Sequence, residues 1–361
     1  MKMRKIVCSF MISVLCFMTA ISGVSATSYD TSKINAAYSK VVEYYKNNNN
    51  LNNADKILAV ESLGLEAESN QFDTSSADLS STSLSKKIVT EVLLGVDPTE
   101  DKETLESQID ENGNVEGSWG ASSDVWTLYA LYVTSSEKAN LIANKLNDEL
   151  AASSVCGYEW GGTYYADYDT TGWVIEGLAV VNKEKYATTI NKAIDYIKNN
   201  TTMPTTGWVT ADNVDTQSQV LEGMFAYDTN ALLNDSYTVH PVDCLLNTQL
   251  SDGSFPSGYN AEYTTAEVAK TLGTYKNGSV IIKAKKAYDK MMNPEQPDNT
   301  KPAQPTDTKK DSQSTNKVET TNQKTTSVKT GDETNVVIFV SLSMVSGGLF
   351  LVLRKEYERV H

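Results

Sequence analysis

The sequence predicts an all-α protein built from repeated helical hairpins, and three observations lead to this prediction. One segment recurs about every 47 residues: aligning Ala130, Gly177, Gly223 and Thr271 gives separations of 47, 46 and 48 residues. A repeat of that length accommodates two helices and two turns. Apolar residues recur at helical spacing within the copies, and no alternating run of strand length competes with them. We therefore expect a solenoid or a toroid of hairpins.

Each hairpin is expected to hold one outer and one inner helix, both amphipathic. The outer helices are predicted at 31–47, 85–96, 138–152, 184–199, 240–250 and 279–292. The inner helices are predicted at 54–65, 123–134, 170–182, 216–227 and 264–275. The stretch 101–112 fits this pattern less well. The segment 66–84, rich in Ser and Asp, is predicted to be a long irregular connection.

The first 26 residues have the pattern of a secretory signal peptide. Basic residues precede an apolar stretch, which ends on Val24-Ser25-Ala26, the small residues of a signal peptidase site. We expect export and cleavage after Ala26 rather than a retained membrane helix, because the apolar stretch is short. Only Cys156 and Cys244 then remain. In an exported chain they can form one disulfide, and free buried thiols are the equal alternative.

The C-terminal part predicts display at a cell surface. Residues 294–329 are rich in Thr, Lys, Gln, Ser, Asp and Pro, which predicts a disordered stalk. Residues 336–353 form an uncharged run of 18 residues, long enough to span a membrane, and a basic tail follows up to residue 361. Before this run, residues 327–331 resemble the sorting signals of sortase substrates, with Ser327-Val328 in place of the usual Leu-Pro. The resemblance implies cleavage between Thr330 and Gly331 and coupling to peptidoglycan.

The predicted folded domain, residues 27–293, is strongly acidic. It holds 37 Asp and Glu against 19 Lys and Arg, an excess of 18 negative charges. Nucleic acid is therefore not expected as a partner, because phosphate binding requires the opposite sign. A cationic ligand, or solubility at a crowded surface, suits this charge better.

Two segments resemble a known superfamily. Residues 246–255, with 105–119 as a looser copy, resemble the Gln-x-x-x-Gly-Phe/Trp repeat of the terpenoid cyclase and protein prenyltransferase α/α-toroid superfamily. Residues 167–178 are similar to a turn and inner helix of its extracellular branch, which includes bacterial surface toroids and the helical domain of cobalamin carriers. The resemblance covers roughly residues 54–277 and implies rings of inner and outer helices around a central cavity. It identifies architecture better than activity.

Candidate catalytic residues follow from the same resemblance. Asp167-Tyr168-Asp169-Thr170 resembles the Asp-x-Asp-Asp motif of class II terpene cyclases, which implies Asp169 or Asp167 as an acid, although Thr170 replaces the third acidic residue. The pair Asp169-Thr170 recurs as Asp215-Thr216 in the next copy. Such recurrence is typical of helix N-caps, so we expect capping rather than acid catalysis.

No metal or cofactor is predicted. The prenyltransferases of this superfamily hold zinc through Asp, Cys and His, and the chain offers His240, Asp243 and Cys244 on one predicted helix, which is a weak site. Residues 110–114 alternate oxygen-bearing side chains but lack the glycine and terminal glutamate of a calcium loop, so a solvated turn is expected.

The strongest candidate binding site consists of repeated glutamates and turn aromatics. Glu61, Glu176 and Glu222 occupy the same inner-helix position in three copies. Aromatic residues expected at one rim are Trp119, Tyr158, Trp160, Tyr164, Tyr165, Tyr168, Trp208 and Phe255. If the glutamates face a cavity, the site suits a cationic, sugar-like or planar ligand. The equal alternative is that they pair with polar groups between helices while the aromatics wedge the turns together.

The sequence therefore predicts a non-catalytic binding or adhesion module on the surface of a Gram-positive-type bacterium. Its partner would be an extracellular small molecule, glycan or protein, with peptidoglycan or the membrane as the point of attachment. One alternative is a terpene-cyclase-like enzyme that uses Asp169 as its acid. The other is a corrinoid carrier, although nothing after residue 293 corresponds to the second domain of transcobalamins.

Overall fold

The computed structural model describes residues 29–68, 80–207, 213–258 and 260–294. The predicted signal peptide with Ala26, the stalk beyond residue 294 and the sorting signal with Thr330 and Gly331 lie outside these ranges. The apolar run 336–353 and Trp208 lie outside them too. None of the helices in the described ranges combines the length and the apolar composition that a membrane-spanning helix requires.

The described chain is mostly helical, which confirms the all-α prediction. The helices are α1 Ser32–Asn47, α2 Ala54–Ser62, α3 Ser81–Leu93, α4 Thr99–Ser107, α5 Ala121–Val133, α6 Ala139–Ser153, α7 Tyr168–Asn200, α8 Met203–Thr206, α9 Val214–Asn234, α10 Pro241–Leu246, α11 Ala261–Asn277 and α12 Val280–Met292. Both α7 and α9 are interrupted, at Asn182 and Asp228, where the backbone is extended. Each of these two side chains accepts a hydrogen bond from the backbone N–H three residues later, as an N-cap does. An inner and an outer helix therefore follow one another there without a loop.

A β-hairpin precedes α7, and the prediction of helices alone missed it. Strands β1 Gly157–Trp160 and β2 Thr163–Ala166 pair antiparallel, joined by Gly161 and Gly162. These glycines have φ angles of 56° and 78°. Two consecutive positive φ angles are the requirement of a type I′ turn, which Gly-Gly satisfies without steric cost. The Gly-Gly pair between two Tyr-containing segments was the available sequence signal.

The helices predicted as inner and those predicted as outer differ in burial. Most residues of α5 are buried, and α11 has an unbroken buried run from Thr264 to Thr274, whereas α1 buries only a stripe containing Ile34, Val41 and Tyr45. The predicted outer helix 85–96 is an exception. It corresponds to α3, which buries both apolar and polar residues and contacts α2 and α5. Its prediction as an outer helix was therefore wrong.

Six helices contact one another in a closed order. Helix α2 contacts α3, α3 contacts α5, α5 contacts α7, α7 contacts α9, α9 contacts α11, and α11 contacts α2. Helices α7 and α9 approach most closely at glycines. A Cβ atom added to Gly172 would lie 2.4 Å from the carbonyl oxygen of Gln219, and one added to Gly223 would lie 2.3 Å from that of Gly172. These glycines therefore permit direct backbone contact between the two helices.

Candidate functional site

Equivalent positions of four repeats meet inside the domain. The residues immediately before the four alignment points are Tyr129, Glu176, Glu222 and Lys270. One helical turn earlier stand Trp126, Trp173, Gln219 and Glu267. We call these eight residues the inner cluster. They lie on α5, α7, α9 and α11, consecutive members of the closed order of helices.

The ionisable members of the inner cluster are removed from water. Relative exposure is 3% for Glu176, 1% for Glu222, 0% for Glu267 and 3% for Lys270. Three carboxyl groups thus share a buried region with one ammonium group. Burying charge is costly unless the charges are paired and hydrogen-bonded. The individual contacts therefore decide what this arrangement can do.

Lys270 is the centre of the ionic contacts. Its Nζ lies 3.0 Å from Oε2 of Glu267 and 4.0 Å from Oε2 of Glu222. It also lies 5.4 Å from the ring centroid of Trp126, over the ring. The Nε2 of Gln219 donates to the same Oε2 of Glu267 at 3.2 Å. Lys270 therefore has a close hydrogen bond to one carboxylate and only a longer ion pair with the other.

Glu176 and Glu222 receive hydroxyl hydrogen bonds. Tyr129 donates to Oε2 of Glu176 at 3.0 Å, and Ser279 donates to Oε1 at 2.6 Å. Thr274 donates to Oε1 of Glu222 at 3.2 Å. Ser279 is the N-cap of α12. Helix α12 is thereby tied to one end of the inner cluster.

Burial shifts the proton affinities of these groups. It raises the pKa of Glu176, and it raises the pKa of Glu222 well above its usual value, with the charges of Glu176 and Glu267 adding to the effect and Lys270 opposing it. Burial alone would lower the pKa of Lys270, but Glu267 and Glu222 outweigh it and raise that pKa. The cluster therefore holds a firmly charged ammonium beside two carboxyl groups, those of Glu176 and Glu222, that resist ionisation.

Several polar atoms of the inner cluster are buried without a hydrogen-bond partner among the described residues. Three are acceptors: Oε2 of Glu222, Oε1 of Glu267 and Oε1 of Gln219. One is a donor, Nε1 of Trp173. Buried polar groups are paired in the great majority of cases. The inner cluster therefore contains four polar atoms whose hydrogen bonds are not satisfied within the described chain.

The predicted set of glutamates divides between two environments. Glu176 and Glu222 belong to the inner cluster, but Glu61 makes different contacts. Its Oε1 accepts from the backbone N–H of Ala67 at 2.7 Å, and its Oε2 lies 2.6 Å from Nζ of Lys283 on α12. A cavity of about 210 Å³ adjoins this ion pair. The recurrence of glutamate at one repeat position did not indicate that Glu61 lies in a different environment from Glu176 and Glu222.

The predicted rim aromatics also divide. Trp119, Tyr158, Tyr164 and Tyr165 are exposed, and the rings of Tyr158 and Tyr165 stack across the hairpin with centroids 5.6 Å apart. Tyr168 is half-buried. Phe255 is fully buried, so its prediction as a rim residue was wrong. The side chain of Trp160 and all of Trp208 lie outside the described part of the chain.

The acidic motif before α7 has a different arrangement from the prediction. The N-caps are Asp167 and Asn213, whose side chains accept from the N–H groups of Thr170 and Thr216. Asp169 and Asp215 stand two residues later, in the first helical turn, so their prediction as caps was wrong. Burial raises the pKa of Asp169 to about 7, although a hydrogen bond from Thr216 opposes the shift.

The residues considered for zinc have separate partners. His240 Nδ1 accepts from the backbone N–H of Val242, Asp243 pairs with Lys33, and the Cys244 thiol contacts the carbonyl oxygen of Thr206. Within the described ranges, no three His, Cys, Asp or Glu side chains are grouped as metal ligands.

The calcium-like loop is also self-contained. Asp110 accepts hydrogen bonds from the backbone N–H groups of Asn112 and Asn114 in its own turn.

Both cysteines are free, so of the two alternatives the Cys156–Cys244 disulfide is wrong. Burial raises the pKa of the Cys156 thiol to about 12.

Sequence reasoning missed most of the inner cluster. Aligning Gly223 with Thr271 already places Lys270 opposite Glu222, and a step of three residues back gives Gln219 and Glu267. The signal was therefore present in the repeat register, as a change from glutamate to lysine.

Comparison of the chain with protein-family models, with curated proteins and with solved structures found no match.

Proposed function

We propose that this chain is a cell-surface protein that binds a small extracellular ligand rather than transforming it. The export pattern of residues 1–26, the stalk composition of 294–329 and the anchor pattern ending in the run 336–353 support display at the surface. The helical domain is the part that meets the ligand.

We propose further that the helical domain is an α/α toroid. The closed order of contacts among six helices supports it, as does the contrast between buried inner helices and one-sided outer helices. Equivalent residues contact across neighbouring helices, for example Tyr129 with Glu176 and Gln219 with Glu267. Neighbouring helices whose equivalent residues contact one another run parallel, so their N-terminal ends lie on one side of the domain.

The observation that carries the binding proposal is the set of unpaired polar atoms in the inner cluster. Small-molecule sites combine apolar and aromatic walls with a few convergent polar groups. Here Trp126 and Trp173 supply the walls, while Glu222, Glu267 and Gln219 supply free acceptor oxygens. Trp173, unlike Trp126, is only half-buried. A ligand therefore approaches from the side of Trp173 and the helix N-termini, since α12 covers Glu176.

A ligand panel tests this function. The full-length chain, purified in mild detergent, is screened by thermal unfolding against sugars, amino compounds, corrinoids and planar aromatics. We expect at least one compound to raise the melting temperature, and the rise to be reduced in Glu222→Gln. Glu43→Gln makes the same substitution on an exposed side chain and keeps the full rise. A flat response across the panel contradicts small-molecule binding.

One observation favours a second candidate, an enzyme that uses Asp169 as an acid. A pKa of about 7 leaves Asp169 partly protonated at neutral pH, as a general acid requires. The test is turnover of isoprenoid alkenes by the wild-type chain and by Asp169→Asn. Turnover that is lost in the variant supports the candidate. No turnover by the wild type ends it.

Attachment is tested separately by fractionating cells that express the chain. If the sorting signal is used, the protein is covalently bound to the cell wall, and Thr330→Ala moves it to the membrane fraction. A wild-type protein found only in the membrane supports retention of the apolar span instead.

A further inference from the structure

We infer that the inner cluster takes a ligand bearing a primary ammonium group, which donates hydrogen bonds to Glu222, Glu267 and Gln219. The inference rests on the binding function proposed above and names the chemistry of its ligand. Three features of the cluster lead to it: its charge, its unpaired acceptors and its aromatic walls.

The charge of the cluster favours a cation. Glu176, Glu222 and Glu267 face a single ammonium group, that of Lys270. The nearby lysine on α3, Lys86, does not redress the balance, because its Nζ is paired with Asp55 at 2.7 Å. The carboxyl groups therefore outnumber the ammonium groups available to them. A positively charged ligand favours the ionised forms of Glu176 and Glu222, whose pKa burial raises, and pairs with them, whereas an anion opposes their ionisation.

The unpaired acceptors narrow the choice of cation. Glu222 and Glu267 are 1% and 0% exposed, Gln219 is 1% exposed, and each keeps one oxygen without a hydrogen bond among the described residues. Both carboxylates flank Nζ of Lys270, at 4.0 and 3.0 Å, so the acceptors lie close together. A primary ammonium carries three N–H donors. A quaternary ammonium carries none and would leave all three oxygens unpaired.

The aromatic residues accommodate an ammonium and add one further requirement. Trp126 already lies under two ammonium groups, with its ring centroid 5.4 Å from Lys270 Nζ and 4.5 Å from Lys86 Nζ. Its neighbour Trp173 packs against it with centroids 6.0 Å apart. The unpaired Nε1 of Trp173 is a donor, so it suits a ligand with an acceptor oxygen. A primary amine with a neighbouring hydroxyl or carbonyl, such as an amino alcohol or amino sugar, meets all these conditions.

Two matched pairs of compounds test the inference on the full-length chain in detergent. Ethanolamine and choline keep the charge and the hydroxyl but differ in N–H donors, while glucosamine and N-acetylglucosamine differ in the charge. Binding is measured by calorimetry and by thermal unfolding. We expect the primary amine of each pair to bind at least about tenfold more tightly than its partner. Glu222→Gln and Glu267→Gln should weaken amine binding by about tenfold or more, and Glu43→Gln should not change it.

The outcomes separate this inference from the function on which it rests. Choline binding as tightly as ethanolamine overturns the role assigned to the N–H donors. If neutral sugars or planar aromatics bind and the amines do not, binding stands and the amine inference falls. If no compound of the wider panel binds, both fail. Circular dichroism of each variant confirms that a loss of binding is not a loss of folding.

Discussion

Replacing Lys270 by methionine should destabilise the domain strongly. The substitution keeps a long apolar side chain but removes the ammonium that lies 3.0 Å from Glu267 and 4.0 Å from Glu222. Glu267 then loses its close ion pair, and the already raised pKa of Glu222 loses the opposing charge of Lys270, so the two carboxyl groups must hold one more proton than in the wild type. Moving a carboxyl pKa from about 4.3 to above 7 costs about 3 to 4 kcal/mol, because each pKa unit is about 1.4 kcal/mol. Breaking other buried pairs costs about 3 to 5 kcal/mol, which agrees.

The same reasoning predicts how the stability of Lys270→Met depends on pH. In Lys270→Met the folded state holds one proton more than the folded wild type, and the unfolded state has released that proton at neutral pH. A raised folded-state carboxyl pKa makes stability fall as pH rises between the unfolded and the folded pKa. Acidification from pH 7 to pH 5 should therefore recover about 2 to 3 kcal/mol of the difference from wild type, at about 1.4 kcal/mol per unit.

Urea unfolding at both pH values provides the measurement. Lys33→Met is the matched control, because Lys33 is 55% exposed in its ion pair with Asp243, and we expect it to cost less than about 1 kcal/mol. Lys270→Met combined with Glu267→Gln should recover part of the loss, because one of the uncompensated charges is gone. A Lys270→Met variant within about 1 kcal/mol of wild type at pH 7 would refute the buried ionic contact.

Two further predictions concern α7. Gly172→Ala places a Cβ 2.4 Å from the carbonyl oxygen of Gln219, so α7 and α9 must separate, and urea unfolding should show a loss of about 3 kcal/mol. Gly258→Ala, with no atom within 4 Å, should stay within about 0.5 kcal/mol, and equal effects of the two would contradict the backbone contact. Asp169 has a pKa of about 7, above the value of about 3.9 in an unfolded chain, so its contribution to stability falls as pH rises through this interval. Asp169→Asn should therefore gain about 1 to 3 kcal/mol over wild type at pH 8 and little at pH 4, whereas a loss at pH 8 would mean that the ionised carboxylate is well paired.

The helices were predictable because burial imposes a regular apolar spacing. The four apolar residues of α1 that face inward repeat every three or four positions, and the predicted range 31–47 differs from the observed Ser32–Asn47 by one residue. The N-cap residues of the helices were harder to predict. Asp167 and Asp169 are the same residue type two positions apart, and only the extended backbone at Asp167 makes it the cap. Composition around a helix start does not determine which residue takes that conformation.

The candidate site was predictable only in part. Glu176 and Glu222 stood out because identical residues recur at one repeat position, but the next copy has the oppositely charged Lys270 at that position. A search for identical residues at one repeat position does not detect a residue of opposite charge that pairs with its neighbours. Glu61 shows the converse, since it was grouped with the other glutamates by type and yet pairs with Lys283 of α12. Partners on distant parts of the chain are set by packing, which local sequence does not reveal.

Stability alone does not explain the inner cluster. Replacing a buried ion pair by well-packed apolar residues is often neutral or stabilising, because desolvation offsets much of the attraction between the charges. The flanking positions of the same helices are already apolar, as Val174, Ile175 and Leu178 of α7 illustrate. Apolar residues at the cluster positions would therefore be compatible with these helices, yet the sequence has polar and charged residues there. Removing Lys270 alone should be costly, yet the complete cluster is expected to add little net stability. That combination supports the proposal that the polar residues are kept for the ligand they bind, and it accords with the acceptor oxygens of Glu222, Glu267 and Gln219 that lack a hydrogen bond among the described residues.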